Sequence, residues 1–318
     1  MPTRRQELLW GIENGLRRPG PDDAYADGDD STWLTVNWPS MTRRIPVHGR
    51  DVNVVDTGGD GPAMVFIHGL GGRWQNWLLN VPAFMGAHRV IALDLPGFGG
   101  SEMPTEKISI RGYAKVVDAL LVQLGVESAV FVGNSMGGFV AAEVALSFHT
   151  RVERLVLVSA AGLSIEDRNR EPLLTLARVW AAGATRVGAQ GNAVITRPRM
   201  RRMALQLVLR YPERLSPEMT YEMVQGAGAP GFIDALGALL EHSFREELSR
   251  IDVPVLIVWG RNDMLVPRGD AREFEELIGS NARRVVFEDT GHVPMIERPN
   301  AFNALVTDFV AERERVSA

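Results

Sequence analysis

The hydrophobic pattern changes character along the chain. From Arg43 to about Gly162, short continuous apolar runs alternate with stretches whose apolar residues recur at helical spacing. The runs are residues 63–67, 89–93, 129–132 and 155–158. A strand that is apolar on both alternating faces must be covered on both, so these read as inner strands of a parallel sheet packed between helices. Residues 52–56 read as an edge strand. Between the runs, residues 113–124 carry Val116, Val117, Leu120 and Leu121 at helical spacing, and residues 136–148 form a second helical stretch.

After Gly162 the rhythm breaks. Residues 162–246 contain helical stretches at 172–182 and 201–211 but no strand signature. It resumes with a strand at 253–258, a helix at 272–278, a strand at 284–287 and a last helix from about 300 to 311. The pattern predicts an α/β protein with a mostly parallel central sheet flanked by helices. Residues 42–161 and 247–318 form its core, and residues 162–246 form a helical cap inserted into it. Strand–helix alternation implies right-handed crossovers and a site at the carboxyl ends of the strands.

Residues 1–41 stand apart. Leu8, Leu9, Ile12 and Leu16 make residues 4–16 a short amphipathic helix, followed by an acidic loop at 19–30. The expectation is an arm packing on the body. Contact with a membrane surface or a partner is the alternative, resting on Trp10.

Composition narrows the function. A chain of 318 residues, 45% hydrophobic, can bury one large core with an insertion. The net charge of -5 gives no reason to expect nucleic-acid binding. The absence of cysteine excludes disulfides, thiolate catalysis and Cys-ligated metals. No run approaches the roughly 20 apolar residues of a membrane span, and no signal-peptide core follows Arg4 and Arg5. A soluble cytoplasmic protein without stable membrane insertion is expected. Its oligomeric state is not readable.

Gly133-Asn134-Ser135-Met136-Gly137 lies directly after a buried run and directly before a helical stretch. That is the context a nucleophilic serine needs: a tight strand-to-helix turn, with glycines two positions away removing Cβ atoms that would clash. Ser135 is therefore the candidate nucleophile. It needs a base, and the base needs an orienting acid further along the chain. His292, in the Gly/Pro-bounded loop Thr290-Gly291-His292-Val293-Pro294, fits the base. His149 closes the nucleophile helix, and His242 reads as a surface or cap residue. Asp263, in the loop Trp259-Gly260-Arg261-Asn262-Asp263, fits the acid; Asp289 is its rival, with turn hydrogen bonding as its ordinary role. Two amides should face the oxyanion: that of Met136, after the nucleophile, and that of Leu70, in His68-Gly69-Leu70-Gly71-Gly72. His68 reads as a structural holder of that loop.

These motifs, with Asp94-Leu95-Pro96-Gly97-Phe98-Gly99-Gly100-Ser101, make the chain resemble the α/β-hydrolase fold superfamily over about residues 43–161 and 247–313. The resemblance implies the same Ser135, Asp263 and His292 triad, and it treats Asp94 mostly as structure. A serine nucleophile argues against the dehalogenase and epoxide-hydrolase branches. Carboxylic ester hydrolysis of the carboxylesterase or lipase kind is the leading reading, with no metal or organic cofactor required. The serine segment is also similar to the meta-cleavage C–C hydrolases, but Val293 stands where those enzymes usually carry an aromatic residue. Arg178 and Arg186 are candidates for their cap arginine. A catalytically silent binding module of the same fold is the remaining alternative.

The expected partner is a small-molecule ester with an apolar acyl or alkyl part. Trp74, Trp180 and Val293 are its candidate contacts, with Trp77 beside them. Leu173, Leu174, Leu176, Val179, Leu205, Leu207, Val208 and Leu209 could form an apolar lining, although packing explains most of them. Arg197, Arg199, Arg201 and Arg202 read as a solvated helix face.

Overall fold

Eight strands form one sheet because the apolar runs can be buried only by covering both of their faces. The computed structural model describes residues 22, 24–27, 32–164, 195–226 and 228–316. The strands are β1 (Thr42–Val47), β2 (Arg50–Asp56), β3 (Ala63–Ile67), β4 (Arg89–Leu93), β5 (Ala129–Asn134), β6 (Val152–Val158), β7 (Val255–Gly260) and β8 (Ala282–Phe287). Their spatial order is β1-β2-β4-β3-β5-β6-β7-β8. β1 and β2 pair antiparallel, as do β2 and β4, and every later pairing is parallel.

Alternate residues of each inner strand enter different cores. Val65, Ile67, Ile91, Leu93 and Phe131 pack on one face, beneath helices α1 (Ile110–Gln123) and α2 (Met136–Ser147). Met64, Phe66, Val90, Ala92, Val130 and Val132 pack on the other, with Trp77 and residues Phe302, Val306 and Phe309 of the last helix. Each such buried aliphatic or aromatic side chain contributes about 1.5–3 kcal/mol by leaving water.

β2 is not the edge expected of residues 52–56; it is paired on both sides, and β1 is the edge. β1 reads Thr-Arg-Arg-Ile-Pro-Val. Its charges and proline hide it from a search for apolar runs, yet they suit an edge strand, which must discourage further pairing.

Between β6 and β7 the described residues contribute α3 (Pro198–Leu205), α4 (Pro217–Val224) and α5 (Phe232–Glu241). α3 ends at Leu205 rather than continuing to Tyr211. Pro212 disfavours helical backbone at the residue before it, and residues 208–211 are used elsewhere, as the site makes plain. Beyond β7 come α6 (Arg268–Ile278) and, after β8, α7 (Pro299–Val316). The helices expected at 4–16 and 172–182 lie outside the described residues, as do Trp180, Leu173, Leu174, Leu176, Val179, Arg178 and Arg186. Among the described residues no helix is long and apolar enough to cross a membrane.

Strand β3 lies between β4, which follows it, and β5, so the chain reverses its direction of travel across the sheet there. A crevice opens at the carboxyl ends of strands at such a point. The loops after β3, β5, β7 and β8 all carry motif residues.

Candidate active site

Ser135 stands alone between β5 and α2, at φ 54° and ψ -117°. Such backbone costs a non-glycine residue about 1–3 kcal/mol and persists only where its surroundings impose it. Here the Ser135 N–H donates to Val158 O at 2.9 Å, and its carbonyl accepts from Ala161 N at 3.1 Å and Phe139 N at 3.2 Å. A Cβ on Gly133 would stand 2.3 Å from Gly137 O, and one on Gly137 would stand 2.1 Å from Ile67 O. Both glycines are required by backbone packing. Met136 is the first residue of α2, so its amide is among those with no acceptor inside the helix.

The loop after β3 lies against this turn. A Cβ on Gly69 would come within 3.0 Å of Ser135 Cβ, so Gly69 borders the serine and Leu70 is the next residue of that loop. His68 is fully buried: its Nδ1 donates to Gly69 O at 2.7 Å, and its Nε2 accepts from Leu95 N at 3.0 Å. Those bonds fit a neutral ring, and burial pushes its pKa below the ordinary value. Asp94 accepts from Trp74 N at 2.7 Å, Gly100 N at 2.8 Å and Asn53 Nδ2 at 2.9 Å, tying the segments after β3 and β4 to strand β2.

Asp263 and His292 meet at the ends of β7 and β8. The Asp263 Oδ1 accepts from Leu265 N at 2.8 Å and Val266 N at 2.9 Å, and its Oδ2 lies 2.8 Å from His292 Nδ1. The Asp263 side chain is fully buried. The two loops touch closely: a Cβ on Gly260 would fall 1.9 Å from Gly291 O. Asn134 Nδ2 donates to Val158 O at 3.1 Å and to His292 O at 3.3 Å, so the residue before Ser135 holds the histidine backbone. Asp289, the rival acid, sits 3.7 Å from Arg210 Nη2 and accepts from Tyr211 Oη at 3.5 Å. His242 lies elsewhere, 2.8 Å from Glu143 of α2, and is a half-buried packing residue rather than a surface one.

The model of the alpha/beta hydrolase family matches residues 64–305. The chain belongs to that family. It is 31% identical over 264 residues to the pimeloyl-[acyl-carrier protein] methyl ester esterase of Aeromonas hydrophila, covering 80% of this chain and 98% of that one. Among solved structures it is similar to a meta-cleavage product hydrolase from Pseudomonas fluorescens IP01, with 27% identity, a TM-score of 0.68, and coverage of 86% and 99%. It is also 31% identical, over 82% of its length, to the dihydrolipoyllysine-residue acetyltransferase component of the acetoin cleaving system of Cupriavidus necator. There it spans 66% of the relative, just under two thirds.

Several residues expected to contact substrate in this hydrolase-family chain are buried. Trp74 is 6% exposed and its ring lies 5.1 Å from that of Trp38. Trp77 is buried against Phe66. Val293 is 4% exposed, within the core cluster that also holds Leu205 and Leu209. Leu207, at 52% exposure, faces solvent, while Val208 accepts from His292 N at 2.8 Å through its carbonyl. Arg201 is not part of a solvated face; it is buried and donates to Ile195 O at 2.7 Å and Glu213 O at 3.2 Å. Arg197, Arg199 and Arg202 are exposed.

The sequence reading missed Asn134, Val208 and Glu297. Asn134 was inside the serine motif without a role. Glu297 had a signal, a lone charge in the apolar turn Pro294-Met295-Ile296-Glu297. Val208 had none, because its contribution is a carbonyl. Among the described residues no group of three or more His, Asp or Glu is arranged to hold a metal ion.

Proposed function

We propose that the chain is a serine hydrolase that cleaves carboxylic esters through an acyl-enzyme on Ser135. The observation that carries this is the hydrogen-bonded pair Asp263 Oδ2 to His292 Nδ1, 2.8 Å, tethered through Asn134 to the strained turn of Ser135. His292 takes the Ser135 proton as the oxygen attacks the acyl carbon. Asp263 holds the imidazole so that Nε2 is the nitrogen receiving that proton. The amides of Leu70 and Met136 bind the oxyanion, His292 returns the proton to the departing alcohol, and water repeats the sequence. The helices between β6 and β7 act as a cap that shapes the acyl or alkyl pocket. The likeness to the methyl ester esterase supports the ester reading.

A second reading, hydrolysis of a C–C bond in a vinylogous diketo acid, is favoured by the likeness to the meta-cleavage product hydrolase. Two assays separate them. A fluorophosphonate probe should label the folded protein and not Ser135→Ala; an unlabelled folded protein ends both readings. p-Nitrophenyl esters of graded chain length should turn over. Turnover of the diketo acid alone would replace the ester reading with the second.

A further inference from the structure

Glu297 is fully buried five residues after His292, on the helical turn that leads into α7. Its carboxylate receives donors from three separate parts of the chain. Gly291 N–H donates to Oε1 at 2.9 Å and Oε2 at 3.0 Å, and Val293 N–H donates to Oε1 at 3.3 Å, so the amides on both sides of His292 end on this one side chain. Arg210 N–H, from the segment after α3, donates to Oε2 at 2.8 Å. Tyr25 Oη, from the N-terminal arm, donates to Oε2 at 2.8 Å and itself accepts from Tyr211 N at 2.9 Å.

The next residue extends the clamp. Arg298 donates to Thr290 Oγ1 at 2.8 Å and to Glu288 O at 3.1 Å, and it pairs with Asp22 of the arm at 2.9 and 3.1 Å. Ala26 N–H donates to the Glu297 carbonyl at 2.7 Å. The histidine loop is thus held from below by two consecutive side chains, and those side chains are held in turn by the arm and by Arg210, with Tyr211 bonding Tyr25.

A buried carboxylate is an expensive group to place, and burial pushes the Glu297 pKa above its ordinary value while the amide and hydroxyl donors pull the other way. Packing alone would be served as well by an apolar residue, as at its neighbours Met295 and Ile296. What the carboxylate supplies is an acceptor for the two amides that flank one imidazole, fixed in place by two further donors from Arg210 and Tyr25.

We propose that Glu297 is a positioning residue for His292, completed by Tyr25 of the N-terminal arm, so that the arm and the inserted segment are built into the catalytic support. This rests on the reading of His292 as the general base. A misplacement of about 1 Å at a reacting group can cost about 10²-fold in rate.

In the full chain, Glu297→Gln replaces an acceptor with an NH2 group that faces donors. Its kcat on a p-nitrophenyl ester should fall by about 10²-fold with KM little changed, in a protein that still melts cooperatively. The downfield NMR resonance of the His292 Nδ1 proton should weaken or shift. Tyr25→Phe keeps the ring and removes one hydroxyl, and it should lower kcat less, again without moving KM. A folded Glu297→Gln protein with wild-type kcat and an unchanged imidazole proton overturns the proposal. If Glu297→Gln does not fold, wild-type kcat in Tyr25→Phe overturns it instead. The imidazole resonance needs no turnover. A Ser135→Ala protein that keeps its activity would therefore sink the proposed function while the resonance still reports on Glu297.

Discussion

Two histidine–carboxylate pairs in this molecule have the same hydrogen-bond length and different surroundings. His292 Nδ1 lies 2.8 Å from Asp263, and His242 Nε2 lies 2.8 Å from Glu143. Asp263 sits in a loop at the end of a strand, its second oxygen held by two amides, beside the turn that presents Ser135. Glu143 sits within α2, its other oxygen taken by Ser147 Oγ at 2.7 Å, with Arg111 at 3.4 Å. The His242 ring is boxed by Phe139 and Phe244, at 5.3 and 5.8 Å between centroids. The first pair joins two loops whose histidine backbone Asn134 ties to the strained turn of Ser135. The second stitches the end of α5 to the core. A histidine–carboxylate bond is therefore no catalytic signature by itself; the neighbours decide.

The comparison can be broken most directly by activity. Ser135→Ala and His292→Ala should each lower kcat by on the order of 10⁶-fold while the proteins remain folded. His242→Ala should leave kcat unchanged, and a comparable loss there would mean that the wrong histidine has been chosen. Asp263→Asn should cost about 10⁴-fold, because the imidazole loses the partner that sets its tautomer. Glu143→Gln should cost no turnover in the same steady-state assay.

The second pair should instead register in stability. Burial pushes the Glu143 pKa up, but hydrogen bonds from His242 and Ser147, with the charges of His242 and Arg111, outweigh it and leave the pKa below the ordinary value. A carboxyl group whose pKa is lowered by folding stabilises the protein above its unfolded pKa, and that stabilisation is lost as pH falls through the folded value. Thermal melts from neutral into acid pH should therefore show Tm falling through the carboxylate range, and Glu143→Gln should flatten that fall. At neutral pH the substitution should cost about 1–3 kcal/mol. Melts of the variant that track the wild type at every pH would remove the pair from the account of stability. The smallest effect belongs to Arg111→Ala, since that side chain is mostly exposed: about 0–1 kcal/mol by denaturant titration, fading with salt.

How legible each pair was follows from where its information lies. Ser135 and its flanking glycines were readable because the requirement is local: strand before, helix after, no room for a Cβ at 133 or 137. Asp263 and His292 were readable as residues in Gly- and Pro-marked loops after buried runs, and the proximity argued from chain order is present as a 2.8 Å contact. The inner strands were readable because continuous apolar runs mean two covered faces. β1 was missed, since Arg43, Arg44 and Pro46 describe an edge in the language of a loop. Trp74 was open between pocket and packing; in the structure its ring packs against Trp38, from a segment with no apolar rhythm. Arg201 looked like one of four solvated arginines until the carbonyls of Ile195 and Glu213 claimed it.

The amino-acid order by itself determined the α/β alternation and the motifs that lie at the strand ends, because each depends on a chemical requirement met within a few neighbouring residues. Only the tertiary structure decided which polar groups share a buried environment. Glu297 receives Tyr25 across 272 positions and Arg210 across 87, and no local pattern encodes a hydrogen bond between segments that far apart. The physical reason is that burial is a property of the assembled sheet and its covering layers. A carboxylate such as Glu297 becomes a support for His292, and one such as Glu143 a stitch for α5, only once those layers fix what donates to it.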